Sequence, residues 1–169
     1  MNNDLMFSTK KNSWETPNQF FEMLNKQHNF NWDLAASNRN AKCSKYYTKH
    51  DDSLKQDWSK CEGNLFLNPP YGRELKKWVK KAAETRLSLG QQLVMLIPAR
   101  TDTSYWHDYI FGKAEIIFLR GRLKFELNGV SKDAAPFPSA LVTYEGGKTH
   151  GGSRSSLHST ISQVSAFQR

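Results

Sequence analysis

Leu93-Val94-Met95-Leu96-Ile97 is a run of five apolar residues with nothing polar to turn toward water on either side. A strand of that composition is stable only when both faces are covered, as in the middle of a parallel sheet flanked by helices. The run is the longest of its kind in the chain. It falls far short of the roughly 20 residues that a membrane helix needs. With 169 residues there is room for one such core and not for two.

Strands and helices alternate around this run. Thr16-Pro17-Asn18-Gln19 reads as a helix start, with Thr16 as N-cap, Pro17 at the first helical position and Gln19 as capping-box partner. Phe20, Phe21 and Leu24 follow as its apolar face. Strands are predicted over 30–34, 46–48, 64–67, 93–97, 114–119 and 140–144, and helices over 74–87, closed by Gly90, and 104–110. Residues 123–127 alternate and run into the turn pair Asn128-Gly129. The pattern predicts an α/β fold with a mostly parallel sheet and a C-terminal antiparallel hairpin. The expected domain is 13–145, preceded by a polar, flexible 1–12 and followed by a flexible Gly- and Ser-rich tail, 146–169.

The net charge of +8 belongs partly to that tail. Positions 1–145 hold 21 basic and 16 acidic residues, and beyond Glu145 come Lys148, Arg154 and Arg169 with no acid. The tail fits a DNA-touching end and an unselected, solubilising one equally well. Such an excess suits a polyanion such as nucleic acid. Two basic clusters stand out: Arg73, Lys76, Lys77, Lys80 and Lys81 in one predicted helix, and Arg120, Arg122 and Lys124 near a predicted strand. Leu75, Trp78, Val79 and Ala82 form the apolar stripe opposite the first. Two cysteines, Cys43 and Cys61, and five scattered histidines make neither a disulfide framework nor a metal-ligand spacing. The start, Met1-Asn2-Asn3-Asp4, lacks the order of a signal peptide. A cytoplasmic protein without membrane or metal is the expectation.

Asn68-Pro69-Pro70-Tyr71 leaves the strand predicted over 64–67. In open α/β sheets, ligands bind beyond the carboxyl ends of strands. Two prolines stiffen this turn and remove two donors, leaving carbonyl acceptors. The Asn68 side-chain oxygen and the Pro69 carbonyl can take both hydrogens of an NH₂ group, while Tyr71 offers a ring to stack on a planar molecule. Fixing an exocyclic amine in this way aims its lone pair and stabilises the charge that develops as it attacks.

This tetrad resembles the catalytic motif of amino-group DNA methyltransferases, which use S-adenosylmethionine and flip the target base. The wider chain resembles the small phage-type Dam family of DNA adenine methyltransferases. The resemblance rests on Trp14-Glu15-Thr16-Pro17, Asp33-Leu34-Ala35-Ala36-Ser37, Asp52-Ser53-Leu54 and Asn68-Pro69-Pro70-Tyr71-Gly72. It continues through Pro98-Ala99-Arg100-Thr101-Asp102-Thr103, Gly121-Arg122-Leu123 and Pro136-Phe137-Pro138-Ser139-Ala140-Leu141. It implies a Rossmann-like class I methyltransferase fold, S-adenosylmethionine as cofactor and double-stranded DNA as partner. The cofactor pocket would be lined by Trp14, Thr16, Pro17, Asp33, Ala35, Asp52 and Asn68. Asp33 would meet the methionine or ribose side of the cofactor, and Asp52 its adenine. Asn68, Pro69, Pro70 and Tyr71 would be catalytic, and Arg73, Lys76, Lys77, Arg100, Arg122 and Lys124 would contact DNA. The usual Gly-rich loop is replaced by Ala35-Ala36-Ser37-Asn38. The ribose-binding residue stays open among Asp33, Asn38 and Asp51.

Cytosine N4 presents the same two hydrogens to the same tetrad and is the nearest rival target. A basic DNA-binding module without catalysis would explain the charge, but it would leave Asp33, Asp52 and the tetrad unexplained.

Overall fold

A computed structural model describes residues 14–148. The flexible ends expected at 1–12 and over most of 146–169 fall outside these residues. A six-stranded sheet runs in the order β2 (Lys45–Tyr46), β1 (Phe30–Asp33), β3 (Asn64–Leu67), β4 (Gln92–Pro98), β8 (Ser139–Glu145), β5 (Glu115–Phe118). The first four are mutually parallel, and β8 is antiparallel to both of its neighbours. β5 therefore runs the same way as β4. The ends of β1, β3, β4 and β5 all reach one edge of the sheet.

The apolar run behaves as its composition demands. Leu93, Val94, Met95, Leu96 and Ile97 are fully buried, with β3 on one side and β8 on the other. Helix α1 (Asn18–His28) brings Phe20, Phe21 and Leu24 into the core, and Phe21 meets the rings of Phe30 and Phe66. Helix α2 (Leu75–Glu84) buries Leu75, Trp78, Val79 and Ala82, as the expected stripe requires. It stops three residues before the expected end. Thr85 turns to an extended ψ of 124° and bonds its hydroxyl back to the Lys81 carbonyl, a local alternative to further helix. Arg73 precedes α2 rather than lying in it. Helix α3 (Ser104–Tyr109) follows β4.

The start of α1 differs from expectation. Pro17 is itself the N-cap, with ψ 135°, and neither Thr16 nor Gln19 caps. The Thr16 hydroxyl is engaged elsewhere, and the Asn18 N–H is taken by Glu126 Oε1 at 3.2 Å. The second strand is Lys45–Tyr46, one residue earlier than expected. The Asn128-Gly129 turn does form a hairpin, between β6 (Glu126–Leu127) and β7 (Val130–Ser131), in a small sheet of its own. Both turn residues have positive φ, 55° and 77°, as a two-residue hairpin turn of that type needs. Arg122 and Lys124 lie on the irregular segment before it.

Two further contacts extend the body past 145. Gly146 exchanges backbone hydrogen bonds with Gln91 and Gly90, both at 2.9 Å. Lys148 pairs with Glu145 at 2.8 Å. A Cβ at Gly146 would lie 1.9 Å from the Ser88 carbonyl, so only glycine fits there. Among the described residues no helix is long and apolar enough to cross a membrane.

Candidate functional site

A cavity of about 440 Å³ opens at the edge where β1 and β3 end, within the range of roughly 300–1,000 Å³ common to small-molecule sites. Trp14, Thr16, Asp33, Ala35, Asp52 and Asn68 line it, so six of the seven expected cofactor residues come together. Pro17 lies outside the lining. Pro69 and Pro70 are part of the wall.

Asp33 closes β1 at 3% exposure. Its two oxygens accept from Ala35 N (3.3 Å) and Lys42 N (3.0 Å), and so tie down the loop that follows. Burial pushes its carboxyl above the ordinary value of 3.8, and the two backbone N–H groups pull it partly back. In that loop the N–H groups of Ala35, Ala36 and Ser37 are already spent. Ala36 N is used by the Tyr47 carbonyl and Ser37 N by Asn40 Oδ1. That explains the missing glycines: a Gly-rich turn serves close approach of a pyrophosphate, and this loop offers a carboxylate instead. Asp52 sits at φ 51° and pairs with Lys55 at 2.9 Å while reaching the cavity. Of the three ribose candidates only Asp33 lines the cavity. Asn38 accepts from the Tyr46 hydroxyl, and Asp51 is taken by the Thr48 N–H and hydroxyl.

Asn68 has the most telling hydrogen bonding. Its Nδ2 donates to the Trp14 carbonyl at 2.6 Å and to Thr16 Oγ1 at 2.9 Å. Its Oδ1 is buried and has no partner among the described residues. An unsatisfied buried acceptor costs about 1–3 kcal/mol, a cost that a site keeps when the atom awaits a ligand. The Trp14 carbonyl can only accept, so the amide cannot be turned the other way.

Tyr71 departs from the expected arrangement. It is buried at 7% exposure and does not line the cavity. Its hydroxyl donates to the Leu96 carbonyl at 3.0 Å, and its ring packs edge-on against Phe125 and Phe137. Burial alone holds the phenol protonated, far above its ordinary range. In this arrangement the ring braces the turn against β4 and cannot stack on a base.

The segment 14–17 is a strap across the site. Glu15 pairs with Glu126 of β6 through two backbone bonds, 3.2 and 2.9 Å, and its side chain accepts from Asn128 N at 3.1 Å. The Trp14 ring is wedged edge-on between Phe125 and Phe137. Lys42, Tyr47, Lys49, Ser53 and Trp78 also line the cavity, though nothing in the sequence marks them as cofactor contacts. Most sit on the loops after β1 and β2, and the signal available was topological: loops following parallel strands meet at one edge.

The expected DNA contacts are all exposed. Arg73 and Lys76 flank the start of α2, just past the tetrad, and Lys77 is paired with Glu74 at 2.8 Å. Arg100 follows β4, and Arg122 and Lys124 follow β5. His107 is exposed on α3 and bonds to the Thr101 carbonyl. Among the described residues no group of three or more His, Cys, Asp and Glu could hold a metal ion.

An open, mostly parallel sheet with its cavity at the carboxyl ends of β1 and β3, and Asn68, Pro69 and Pro70 in its wall, is the architecture of the Rossmann-like class I methyltransferase fold. A model of the family described as DNA N-6-adenine-methyltransferase (Dam) matches residues 5–164. The chain belongs to that family. The match runs about twenty residues beyond the resemblance read from the sequence and takes in Lys148 and Arg154. A DNA N-6-adenine-methyltransferase of Escherichia phage T1 is 32% identical over 136 residues, 80% of this chain and 56% of the phage protein. The chain thus spans little more than half the length of that relative. YfdM of Escherichia coli (strain K12), whose name marks it provisionally as a methyltransferase, is 41% identical over 63 residues. Those residues are 34% of this chain and 69% of that protein. Membership of the family implies a methyl donor.

Proposed function

We propose that the protein transfers a methyl group from S-adenosylmethionine to the exocyclic N6 amine of adenine in double-stranded DNA, in the cytoplasm of a bacterial or phage-infected host cell. The observation that carries this reading is Asn68 Oδ1, a buried acceptor on a wall of the cavity that has no partner among the described residues. The donor set fits the cofactor: two carboxylates, Asp33 and Asp52, for its amines and hydroxyls, with Lys42 and Lys49 beside them and the rings of Trp14, Tyr47 and Trp78 in the walls. S-adenosylmethionine, when bound, supplies the electrophilic methyl group.

The chain's own residues then have distinct tasks. Asn68 Oδ1 and the Pro69 carbonyl accept the two amine hydrogens and direct the nitrogen lone pair along one line. As the nitrogen gains positive charge, the same two dipoles stabilise it, and they need no reorganisation to do so. Pro69 and Pro70 stiffen the turn. Tyr71 pins it to the Leu96 carbonyl.

Methyl-labelled cofactor incubated with DNA, followed by digestion to nucleosides and mass spectrometry, is expected to yield label on adenine N6. Label on cytosine N4 would overturn the choice of base. No label, together with no rise in melting temperature on adding S-adenosylmethionine, would favour a DNA-binding module without catalysis.

Arg73, Lys76, Arg100, Arg122 and Lys124 serve phosphate contact in this reading. Lys77 contributes less, because Glu74 already neutralises it. DNA affinity is expected to fall steeply with salt, by a log–log slope of about −0.9 per phosphate neutralised. Each alanine replacement in this set should reduce the slope by about one. Cofactor affinity should stay nearly constant over the same salt range. Equal loss of both affinities would overturn this division of the charge.

A further inference from the structure

Sequence pattern assigned Thr16 to a helix cap, and resemblance assigned it to the cofactor pocket, but its hydroxyl does something else. We infer that Thr16, with the Trp14 carbonyl, is a positioning clamp that holds the Asn68 carboxamide so that Oδ1 alone faces the target amine. This rests on the reading that Asn68 accepts from that amine, and it adds what makes the acceptor dependable.

A terminal amide torsion is soft and roughly two-fold, so an unrestrained carboxamide can present either its oxygen or its NH₂. The wrong choice would set donor against donor at the reacting nitrogen. The Trp14 carbonyl, 2.6 Å from Nδ2, excludes that orientation because a carbonyl cannot donate. The Thr16 hydroxyl, 2.9 Å from the same nitrogen, is the second point that fixes the amide plane. Both NH₂ hydrogens are then used on the strap, and among the described residues nothing takes up Oδ1. Thr16 is 3% exposed, so water does not readily replace its hydroxyl. The strap itself is fixed, on one side by the Glu15–Glu126 backbone pair and on the other by the Trp14 ring between Phe125 and Phe137.

The test compares Thr16→Val, which removes the hydroxyl at nearly constant volume, with Thr16→Ser, which keeps it. Thr16→Val is expected to lower kcat about 10- to 100-fold, the scale of a small misplacement at a reacting centre. KM for DNA and the calorimetric affinity for S-adenosylmethionine should be nearly unchanged. Thr16→Ser should recover most of the lost rate, and in an Asn68→Ala background Thr16→Val should cost nothing further. The side-chain amide resonances of Asn68, assigned by their disappearance in Asn68→Ala, should shift or broaden in Thr16→Val and return in Thr16→Ser. Thr16→Ala provides the same comparison if the valine variant does not fold.

A wild-type kcat in Thr16→Val would overturn the clamp. So would a loss of cofactor affinity that accounts for the lost rate, because Thr16 would then be a cofactor contact. A full additional loss in the Asn68→Ala background would overturn it as well. If Asn68→Ala itself keeps full activity, it is the role of Asn68 that fails, while the amide resonances still report whether the clamp exists.

Discussion

Asn68→Ala is expected to lower kcat for methyl transfer by about 10²–10³-fold, the scale measured when one preorganised partner of a developing charge is removed. The variant also gives up the two bonds from Nδ2 to the 14–17 strap, but DNA affinity should persist because none of the basic residues is touched. Asn68→Asp is the sharper companion. It supplies an acceptor, but its second oxygen would face the Trp14 carbonyl across the 2.6 Å now spanned by an N–H. Two oxygens at that distance repel, so the aspartate should also be impaired at neutral pH and should improve as acid protonates it. Single-turnover rates with saturating DNA and cofactor provide the readout. A wild-type rate in Asn68→Ala would remove Asn68 from the mechanism.

Asp33→Ala should weaken S-adenosylmethionine binding by roughly 10- to 150-fold, equivalent to the ~1.5–3 kcal/mol of a hydrogen bond to a charged group. DNA binding should change far less. A pH series tests the same residue without mutation. The charged form is the one that accepts from the cofactor, and burial raises the carboxyl above 3.8. Affinity should therefore climb as pH rises through that raised value and level off above it. Below the plateau, binding should release protons, measurable by calorimetry in buffers of different ionisation enthalpy. The sign for stability is opposite. The folded state holds the Asp33 proton more tightly than the unfolded chain, so this residue's contribution declines as pH rises from 3.8 through the raised value. Asp33 thus burdens the fold at neutral pH, as a functional charge does. Equal losses of cofactor and DNA affinity in Asp33→Ala would remove it from the cofactor site.

The sheet was legible wherever one residue type dominated a short stretch. The run Leu93–Ile97 announced a doubly covered strand, and Asn68-Pro69-Pro70-Tyr71 announced a stiff ligand-side turn after β3. What stayed hidden depends on partners distant in the chain. Thr16 has the local chemistry of an N-cap, but it is claimed by Asn68, 52 positions away, and the cap's task passes to Glu126. Tyr71 looked like a free ring because the two aromatic side chains that enclose it, Phe125 and Phe137, lie more than fifty residues on. The cavity wall at Tyr47 and Lys49 depends on a two-residue parallel pairing of β1 with β2 that leaves almost no periodic trace. Asp33 and Asp52 were readable as carboxylates near strand ends, but only resemblance separated them from ordinary loop acids.

The place of β8 has a consequence for how the molecule comes into being. Among the described residues this strand is the last in chain order, yet it lies between β4 and β5 and pairs with β4 along seven consecutive residues. Until positions 139–145 have left the ribosome, the most apolar strand of the sheet has an open flank, and β5 has no strand to pair with. Local helices can form earlier, but the core cannot close gradually from the N-terminus. Its completion waits on a long loop closure, the kind of step that slows a fold and exposes a sticky edge meanwhile. The strand that flanks the acceptor turn, β4, is therefore paired on both edges only once β8 slots in.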